Sequence, residues 1–427
     1  MKVAFHTLGC KVNQYETEAM KEQFSKAGYD IVMENDFSDV YVINTCTVTS
    51  LADRKSRQYI RRMKKLNPES IVVVTGCYAQ VSSEEVRAID GVDIVCGTNE
   101  KNNIIDYVSS FKGEKISHIL EYDDLASYDE AGLIRSMESR TRAYIKVQEG
   151  CNRFCSYCII PYARGPVRSR KTKDVIEEAK TLINSGFKEL ILTGINTALC
   201  ENLIEILDQL EEMDGDFRIR LSSLEPTVIN ADYVKNLFKY NRLCHHLHLS
   251  IQSGSDNVLK LMNRRYDRNE YLDIVKVLRD FDPNYGITTD IIVGFPGEKE
   301  EDFLDTLDMV AKVDFGKVHT FKYSIRKGTK AATMADQNTP VTKKERSQRL
   351  IAKDKEVCAS FFKKNIGTSR IVLFEEYQDG YMTGYTDNYI KVYLKLAQDK
   401  INLFANKLIP VKLVDMFNDG VLGETDE

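Results

Sequence analysis

The chain has 427 residues, enough for two or three domains with sizeable cores. With 43% hydrophobic and 29% charged residues it has the balance of an ordinary soluble protein, and no apolar run approaches the ~20 residues of a membrane span. The net charge of −5 excludes a chain basic throughout, so any nucleic-acid contact must rest on a local patch.

Met1-Lys2-Val3-Ala4-Phe5 leads straight into a strand-like pattern, and no signal peptide is expected. Short buried strands are expected at Lys2–Leu8, Asp39–Asn44, Ile71–Thr75 and Val92–Val95, with amphipathic helices such as Gln14–Ala27 and Leu51–Leu66 between them. That βαβ alternation implies a parallel sheet in an α/β domain over 1–112. The Glu-, Asp- and Ser-rich stretch 113–136 has weak periodicity and reads as a linker. Alternation resumes over 137–367 with strands at Arg142–Gln148, Glu189–Gly194, Arg218–Ser222, His246–Ile251, Thr288–Val293 and Lys317–Tyr323. Helical patterns separate them, as at Thr172–Ser185, Ala231–Tyr240 and Glu300–Val313. Six such units in series predict a partial (β/α)6 barrel of the TIM type. A long basic helix, Lys343–Lys364, closes the region. Over 368–427 the short strands Arg370–Tyr377, Tyr381–Tyr385, Tyr389–Lys395 and Ile409–Asp415 predict a small all-β barrel.

Ten cysteines in a chain without secretion point to a reducing compartment, where thiols serve metals rather than cross-links. Cys151-Asn152-Arg153-Phe154-Cys155-Ser156-Tyr157-Cys158 has C-x3-C-x2-C spacing. Thiolates this close suit an iron–sulfur cluster better than a disulfide framework. Three ligands for four irons leave one iron open to a small molecule, whereas a purely electron-carrying cluster usually has four thiolates. Zinc is the alternative; it wants four closed ligands, and no second pair follows Cys158.

Cys10, Cys46 and Cys77 each directly follow an expected strand. In a parallel sheet all strand C-termini lie on one edge, where ligands bind, so the three are expected to converge. Apolar strands tipped with cysteines are poorly explained by packing; a second three-ligand [4Fe–4S] site explains them better. Cys96, Cys200, Cys244 and Cys358 match no ligand spacing and read as structural thiols. His246 and His248 alternate along a strand and share one face, either as a metal pair or, more simply, as barrel lining. Arg54 to Lys65 carries Arg54, Lys55, Arg57, Arg61, Arg62, Lys64 and Lys65 without an acid; it is either a phosphate-binding patch or a solvated helix face.

The Cys151 motif resembles the radical S-adenosylmethionine (SAM) superfamily. Further motifs run the length of the chain: Leu8-Gly9-Cys10-Lys11-Val12-Asn13, Asn44-Thr45-Cys46, Gly76-Cys77, Ser222-Ser223-Leu224-Glu225-Pro226, Gln252-Ser253-Gly254-Ser255 and Asp290-Ile291-Ile292-Val293-Gly294-Phe295-Pro296-Gly297-Glu298. Together they resemble the methylthiotransferases, radical SAM enzymes with an N-terminal cluster domain and a C-terminal TRAM domain. Cys10 to Glu16 and Tyr323-Ser324-Ile325-Arg326-Lys327-Gly328-Thr329 are most similar to the branch acting on N6-threonylcarbamoyladenosine in tRNA.

The resemblance implies two [4Fe–4S] clusters, on Cys10, Cys46 and Cys77 and on Cys151, Cys155 and Cys158, with SAM as cosubstrate. It implies SAM contacts from Tyr157, Gly194, Asn196, Ser223, Glu225, Gln252 and Gly294. Carbon 2 of the adenine has no activated leaving group, which is why radical chemistry is needed there. The implied partners are a tRNA anticodon stem-loop, an electron donor such as flavodoxin or ferredoxin, and a sulfur source; a cytoplasmic monomer is expected. Phosphates would fall to Arg61 and Lys64. The threonyl carboxylate calls for an arginine fork, for which Arg164, Arg168, Arg170, Arg264 and Arg265 are candidates. Enzymes for isopentenyladenosine in tRNA, or for an aspartate of a ribosomal protein, would share the architecture. A cobalamin site would need a D-x-H-x-x-G loop, and none occurs. An iron–sulfur protein that only binds RNA or carries electrons would not need the strand-tip motifs.

Overall fold

The computed structural model describes residues 1–126, 134 and 141–425. The N-terminal strands β1 (Lys2–Thr7), β2 (Asp30–Val32), β3 (Val40–Thr45), β4 (Ile71–Gly76), β5 (Ile94–Cys96) and β6 (Ile116–His118) form one parallel sheet in the order 2-1-3-4-5-6. Every residue of β3 is buried. Its alternate side chains enter two separate apolar layers, Tyr41 and Ile43 in one and Val40 and Val42 in the other, so helices cover both faces. The strand order reverses between β1 and β3, and a crevice opens there outside the carboxyl ends.

In the second body β7 (Arg142–Lys146) is followed by the short antiparallel pair β8 (Gln148–Glu149) and β9 (Arg168–Ser169). The parallel strands β10 (Glu189–Thr193), β11 (Arg218–Leu221), β12 (His246–His248), β13 (Gly286–Val293) and β14 (Lys317–Lys322) then follow. Sheets 7-10-11 and 12-13-14 are joined by the parallel bridges Ile219–Leu243 and Leu224–Leu249. Six parallel strands in chain order make the expected partial barrel, open between β7 and β14. A third body closes β15 (Ser369–Gln378), β16 (Tyr381–Thr386), β17 (Lys391–Lys395), β18 (Leu408–Phe417) and β19 (Gly420–Glu424) into a barrel in the order 15-16-17-19-18.

The C-terminal barrel docks under the strand starts of the parallel barrel. Arg142 donates to both oxygens of Glu375 at 2.6 and 2.7 Å. Arg218 reaches the carbonyls of Ile371 and Tyr385, at 3.1 and 3.0 Å. Arg220 reaches that of Asp387 at 2.9 Å. Glu189 accepts from both Arg218 and Arg220, and burial would raise its carboxyl, but the two guanidiniums drive it far below the usual range. The bottom of the parallel barrel is thereby sealed, leaving the carboxyl ends of its strands for chemistry.

Three departures from the sequence reading have simple causes. The edge strands β2 and β6 are only three residues long, too short for periodicity. β6 and the buried Leu125 lie in the stretch read as linker, which therefore contributes to the folded body; 127–133 and 135–140 fall outside the described residues. The helix Pro340–Asn365 spends much of its basic charge internally, through Arg346–Glu298, Arg349–Glu300 and Lys364–Asp314 pairs at 2.6, 2.6 and 2.7 Å. Among the described residues no helix is long and apolar enough to cross a membrane.

Candidate active site

Cys10 caps the helix Lys11–Lys26 directly after β1, Cys46 follows β3, and Cys77 opens the helix Cys77–Val81 after β4. All three lie at the carboxyl edge beside the point where the strand order reverses. Gly9 is what lets them approach: at φ +107° an added Cβ would stand 2.8 Å from the Cys46 sulfur. Asn13 ties the same loops together, donating to the carbonyls of Leu8 at 2.7 Å and Thr45 at 3.1 Å. Burial first, then the neighbouring Cys77, pushes the Cys46 thiol up to about 12, so a metal must displace its proton to bind.

The second set comes from the barrel. Cys151, Cys155 and Cys158 lie on a loop pinned by main-chain bonds from Cys151 to Gly165, 3.1 Å, and from Ser156 to Met262, 3.0 Å. The Asn263 side chain holds the Phe154 carbonyl at 3.1 Å, and Phe154 itself has φ +46°. Burial pushes the Cys151 thiol up to about 11. The three cysteines line a cavity of about 200 Å³ with Arg153, Tyr157, Asn196, Ser223, Glu225, Gln252, Arg264 and Asp290. Glu225 is its hub: Arg153 stands 2.9 Å away, Asn196 donates at 2.9 Å and Arg264 at 3.4 Å. Arg264 also points an N–H at the Cys155 sulfur, 3.4 Å away. A larger cleft of about 590 Å³, lined among others by Met33, Glu34 and Tyr144, contains no cysteine, so the chemistry belongs to the smaller one.

Arg164 joins the two sets. The helix Ile160–Arg164 begins just after Cys158, and Arg164 ends it fully buried. Its Nε donates to the Cys77 sulfur at 3.2 Å. Its other nitrogens bond Asn13 Oδ1 at 2.5 Å, Glu149 at 3.2 Å and both oxygens of Glu16. Lys101 and Lys146 complete the group, 3.1 and 3.3 Å from Glu16. Burial would raise the Glu16 carboxyl, yet Arg164, Lys101 and Lys146 hold it well below the usual range. Three cations face two carboxylates, leaving one positive charge in excess beside Cys77. A set of three thiolates wants that environment.

Neither cysteine set suits one zinc ion. Tetrahedral zinc with bonds of about 2.3 Å brings its sulfurs to about 3.8 Å. Among the described residues the only three His, Cys, Asp or Glu side chains whose ligand atoms all lie within 4.8 Å of one another are His248, Asp290 and His319. The wider sulfur sets suit the larger [4Fe–4S] unit.

Several expected contacts fall elsewhere. Gly194 does not line the cavity; its missing side chain makes room for Gln148. Gly294 does not line it either, and Lys343 occupies the space above it. Arg164, Arg168 and Arg170 are buried on protein partners: Arg168 donates to the Arg164 carbonyl at 2.9 Å, and Arg170 pairs with Glu178. Arg265 is the exposed member of the five candidates. Arg61 is exposed, whereas Lys64 is held by Asp93 at 2.9 Å and the Ser70 carbonyl at 2.6 Å. Arg153, Ser250 and Asp290 line the cavity without having been expected there. Arg326 was not expected to act structurally; it clasps the loop after Cys46 through Thr47 and the first turn of the helix Ser50–Leu66 through Asp53, at 2.7 and 2.6 Å.

Two family models match, the radical SAM superfamily over residues 145–310 and an uncharacterized protein family, UPF0004, over residues 2–97. The threonylcarbamoyladenosine tRNA methylthiotransferase MtaB of Bacillus subtilis (strain 168) is 41% identical, covering 98% of this chain and 95% of its own. The chain belongs to the MtaB family of radical SAM methylthiotransferases. The Thermotoga maritima member is also 41% identical, over 91% of this chain and 90% of its own. A tRNA-2-methylthio-N(6)-dimethylallyladenosine synthase of Clostridium botulinum (strain Okra / Type B1) is 36% identical over 86% and 85%. Among solved structures, the radical SAM methyltransferase TsrM of Kitasatospora setae, with cobalamin and a [4Fe–4S] cluster bound, superposes with a TM-score of 0.59. It is 14% identical, over 78% of this chain and 77% of that one, a likeness of fold. Membership of the superfamily brings one [4Fe–4S] cluster and SAM to this enzyme.

Removing one member of a buried ionic group costs about 3–5 kcal/mol, because its partners stay buried and unpaired. Arg164→Met is expected to destabilise the chain by that amount in urea titrations. A loss below ~1 kcal/mol, the size of a surface pair, would contradict the role given to this guanidinium.

Proposed function

We infer that this enzyme transfers a methylthio group to carbon 2 of N6-threonylcarbamoyladenosine at position 37 of tRNA, giving 2-methylthio-N6-threonylcarbamoyladenosine. The observation that carries the reading is the near-complete match to the Bacillus subtilis relative, which spans all three bodies. The geometry supports it, because two three-cysteine sets stand on either side of one seam, each short of a fourth thiolate.

Cys151, Cys155 and Cys158 would hold a [4Fe–4S] cluster able to supply the electron that cleaves SAM, and Cys10, Cys46 and Cys77 would hold a second able to supply the sulfur. The chain's own residues do the rest. Asn196, Ser223, Glu225 and Gln252 offer hydrogen-bonding groups for the ribose and methionyl parts of SAM, on the strand-tip side of the cavity. Arg153 and Arg264 hold the Glu225 carboxylate in one place. Ile160, Ile195 and Leu224 give the cavity apolar walls that limit water. Tyr157 packs edge-on to Phe295, which fixes the ring between two cysteine ligands. Gly194 serves this site indirectly, by making room for Gln148, whose side-chain oxygen accepts from the Asn196 N–H at 2.9 Å.

For the substrate, Arg265 is the exposed guanidinium able to meet the threonyl carboxylate. Arg54, Lys55, Arg61, Arg62 and Lys65 are exposed along one helix and suit phosphates of the stem-loop. The C-terminal barrel is read as a TRAM domain that adds to the RNA grip. The reading includes a cytoplasmic monomer served by flavodoxin or ferredoxin and by an external sulfur source. The Clostridium botulinum relative, named for a dimethylallyl substrate, favours a second reading in which an apolar group replaces the carboxylate.

Mass spectrometry of tRNA nucleosides from a deletion strain decides between them. Loss of the methylthio mark from threonylcarbamoyladenosine alone is expected; its loss from the isopentenyl nucleoside would overturn the reading. The cysteine sets should separate in vitro. Cys10→Ala is expected to cleave SAM under strong reductant without forming methylthio product, and Cys155→Ala to do neither. A Cys10→Ala enzyme that still modified tRNA would remove the sulfur-donor role.

The helix patch makes its own prediction. Arg61→Gln should weaken tRNA binding modestly and lower its salt slope by about one ion. Lys64→Gln should instead lower stability and leave that slope nearly unchanged, because Lys64 is spent on Asp93. A slope lowered equally in both variants would contradict the placement of Lys64, and a slope unchanged in both would contradict that of Arg61.

A further inference from the structure

The one tight group of metal-ligating side chains in the described residues belongs to neither cysteine set. His248 ends β12 and is the register partner of Thr288; Asp290 lies two residues further along β13 and is the partner of His319 on β14. Register partners of a parallel sheet share a face, and so do residues two apart. All three side chains therefore project from one side of three neighbouring strands. That side is the barrel interior, because Asp290 lines the SAM cavity.

A ring nitrogen of each histidine and an oxygen of Asp290 all lie within 4.8 Å of one another. A first-row ion bound at about 2.1 Å holds its ligand atoms about 3 to 3.5 Å apart. His248 Nε2 and Asp290 Oδ2 already stand at 3.3 Å. His319 is exposed at the open edge of the barrel and makes no hydrogen bond among the described residues, so its ring has room to close the set. The opposite nitrogen of His248, Nδ1, lies 3.0 Å from Thr288 Oγ1, which also bonds His246 Nε2 at 3.0 Å. A ligating histidine is typically fixed in this way, by a partner on its other nitrogen.

We propose that His248, Asp290 and His319 form a site for one divalent first-row transition-metal ion, facing the cavity. Two imidazoles and one carboxylate select such an ion over magnesium or calcium, which prefer all-oxygen shells. Three ligands on one side leave coordination positions open toward the cavity. Those positions take water or oxygen donors of a molecule held there. Metal binding at Nε2 requires the tautomer in which His248 Nδ1–H donates to Thr288. The site stands independently of which nucleoside the enzyme modifies.

The test is equilibrium dialysis of the cluster-loaded enzyme against micromolar Co²⁺, with cobalt and iron measured together. The wild type is expected to take up a single cobalt per chain with its iron unchanged. His319→Ala, at an exposed position outside the apolar core, should bind cobalt at least ~100-fold more weakly with the same iron content. Thr288→Val, which keeps all three ligands and removes the orienting bond to His248 together with the bond to His246, should weaken binding about 10–100-fold. Equal cobalt uptake by wild type and His319→Ala would overturn the site. So would uptake matched by loss of iron, since the cobalt would then be displacing cluster metal.

Discussion

The contact between Arg164 and the Cys77 sulfur is the constraint on which the two halves of the molecule depend. The guanidinium comes from the helix that follows the Cys151–Cys158 loop, and its targets, Cys77, Asn13 and Glu16, come from the N-terminal sheet. An isolated buried cation would be ruinous; this one is acceptable because every nitrogen has a partner and two carboxylates share the charge. The arrangement is specific as well as stabilising. A guanidinium is a rigid planar fork, so meeting a sulfur, an amide and two carboxylates at once fixes the rotation of one domain against the other.

The same seam organises the electrostatics. Its excess positive charge lies beside Cys77, and Arg264 provides a matching N–H at Cys155. Each cysteine set thus has an arginine N–H at one sulfur, a contact that would tune a cluster held there. The barrel interior is polarised along its length. Arg142, Arg218, Arg220 and Glu189 close the bottom together with the C-terminal barrel, while the cysteines and the Glu225 hub occupy the top. Polar groups with no partner at the bottom would have been costly; docking the third body satisfies them with carbonyls of β15 and β16 and of the turn after β16.

What could be read from the sequence was local or repeated. The C-x3-C-x2-C spacing is a short-range feature, and the strand-tip cysteines follow from the rule that parallel strands share an edge. The six-unit barrel showed in its alternation. The roles of the arginines did not show, because their partners are remote: Arg164 meets Glu16 across 148 positions and Arg326 meets Asp53 across 273. A guanidinium reserved for a substrate and one spent on a buried carboxylate look alike in a linear chain. Short edge strands such as β2 and β6 carry too few residues for a period. Likewise β19, Gly-Val-Leu-Gly-Glu, has two glycines and no alternation of its own, and takes its conformation from β17 and β18. His319 joined His248 and Asp290 only through strand register.

The central claim is that the two cysteine sets, each proposed to hold an iron–sulfur cluster, are held close together across the Arg164 seam. Electron paramagnetic resonance of the fully loaded and reduced enzyme tests it most directly, compared with the Cys10→Ala and Cys151→Ala variants that each retain one site. The account predicts a spectrum broadened by spin–spin interaction, which the two single-site spectra do not reproduce when added. A spectrum equal to their sum, or no signal from the Cys151→Ala variant, would contradict it.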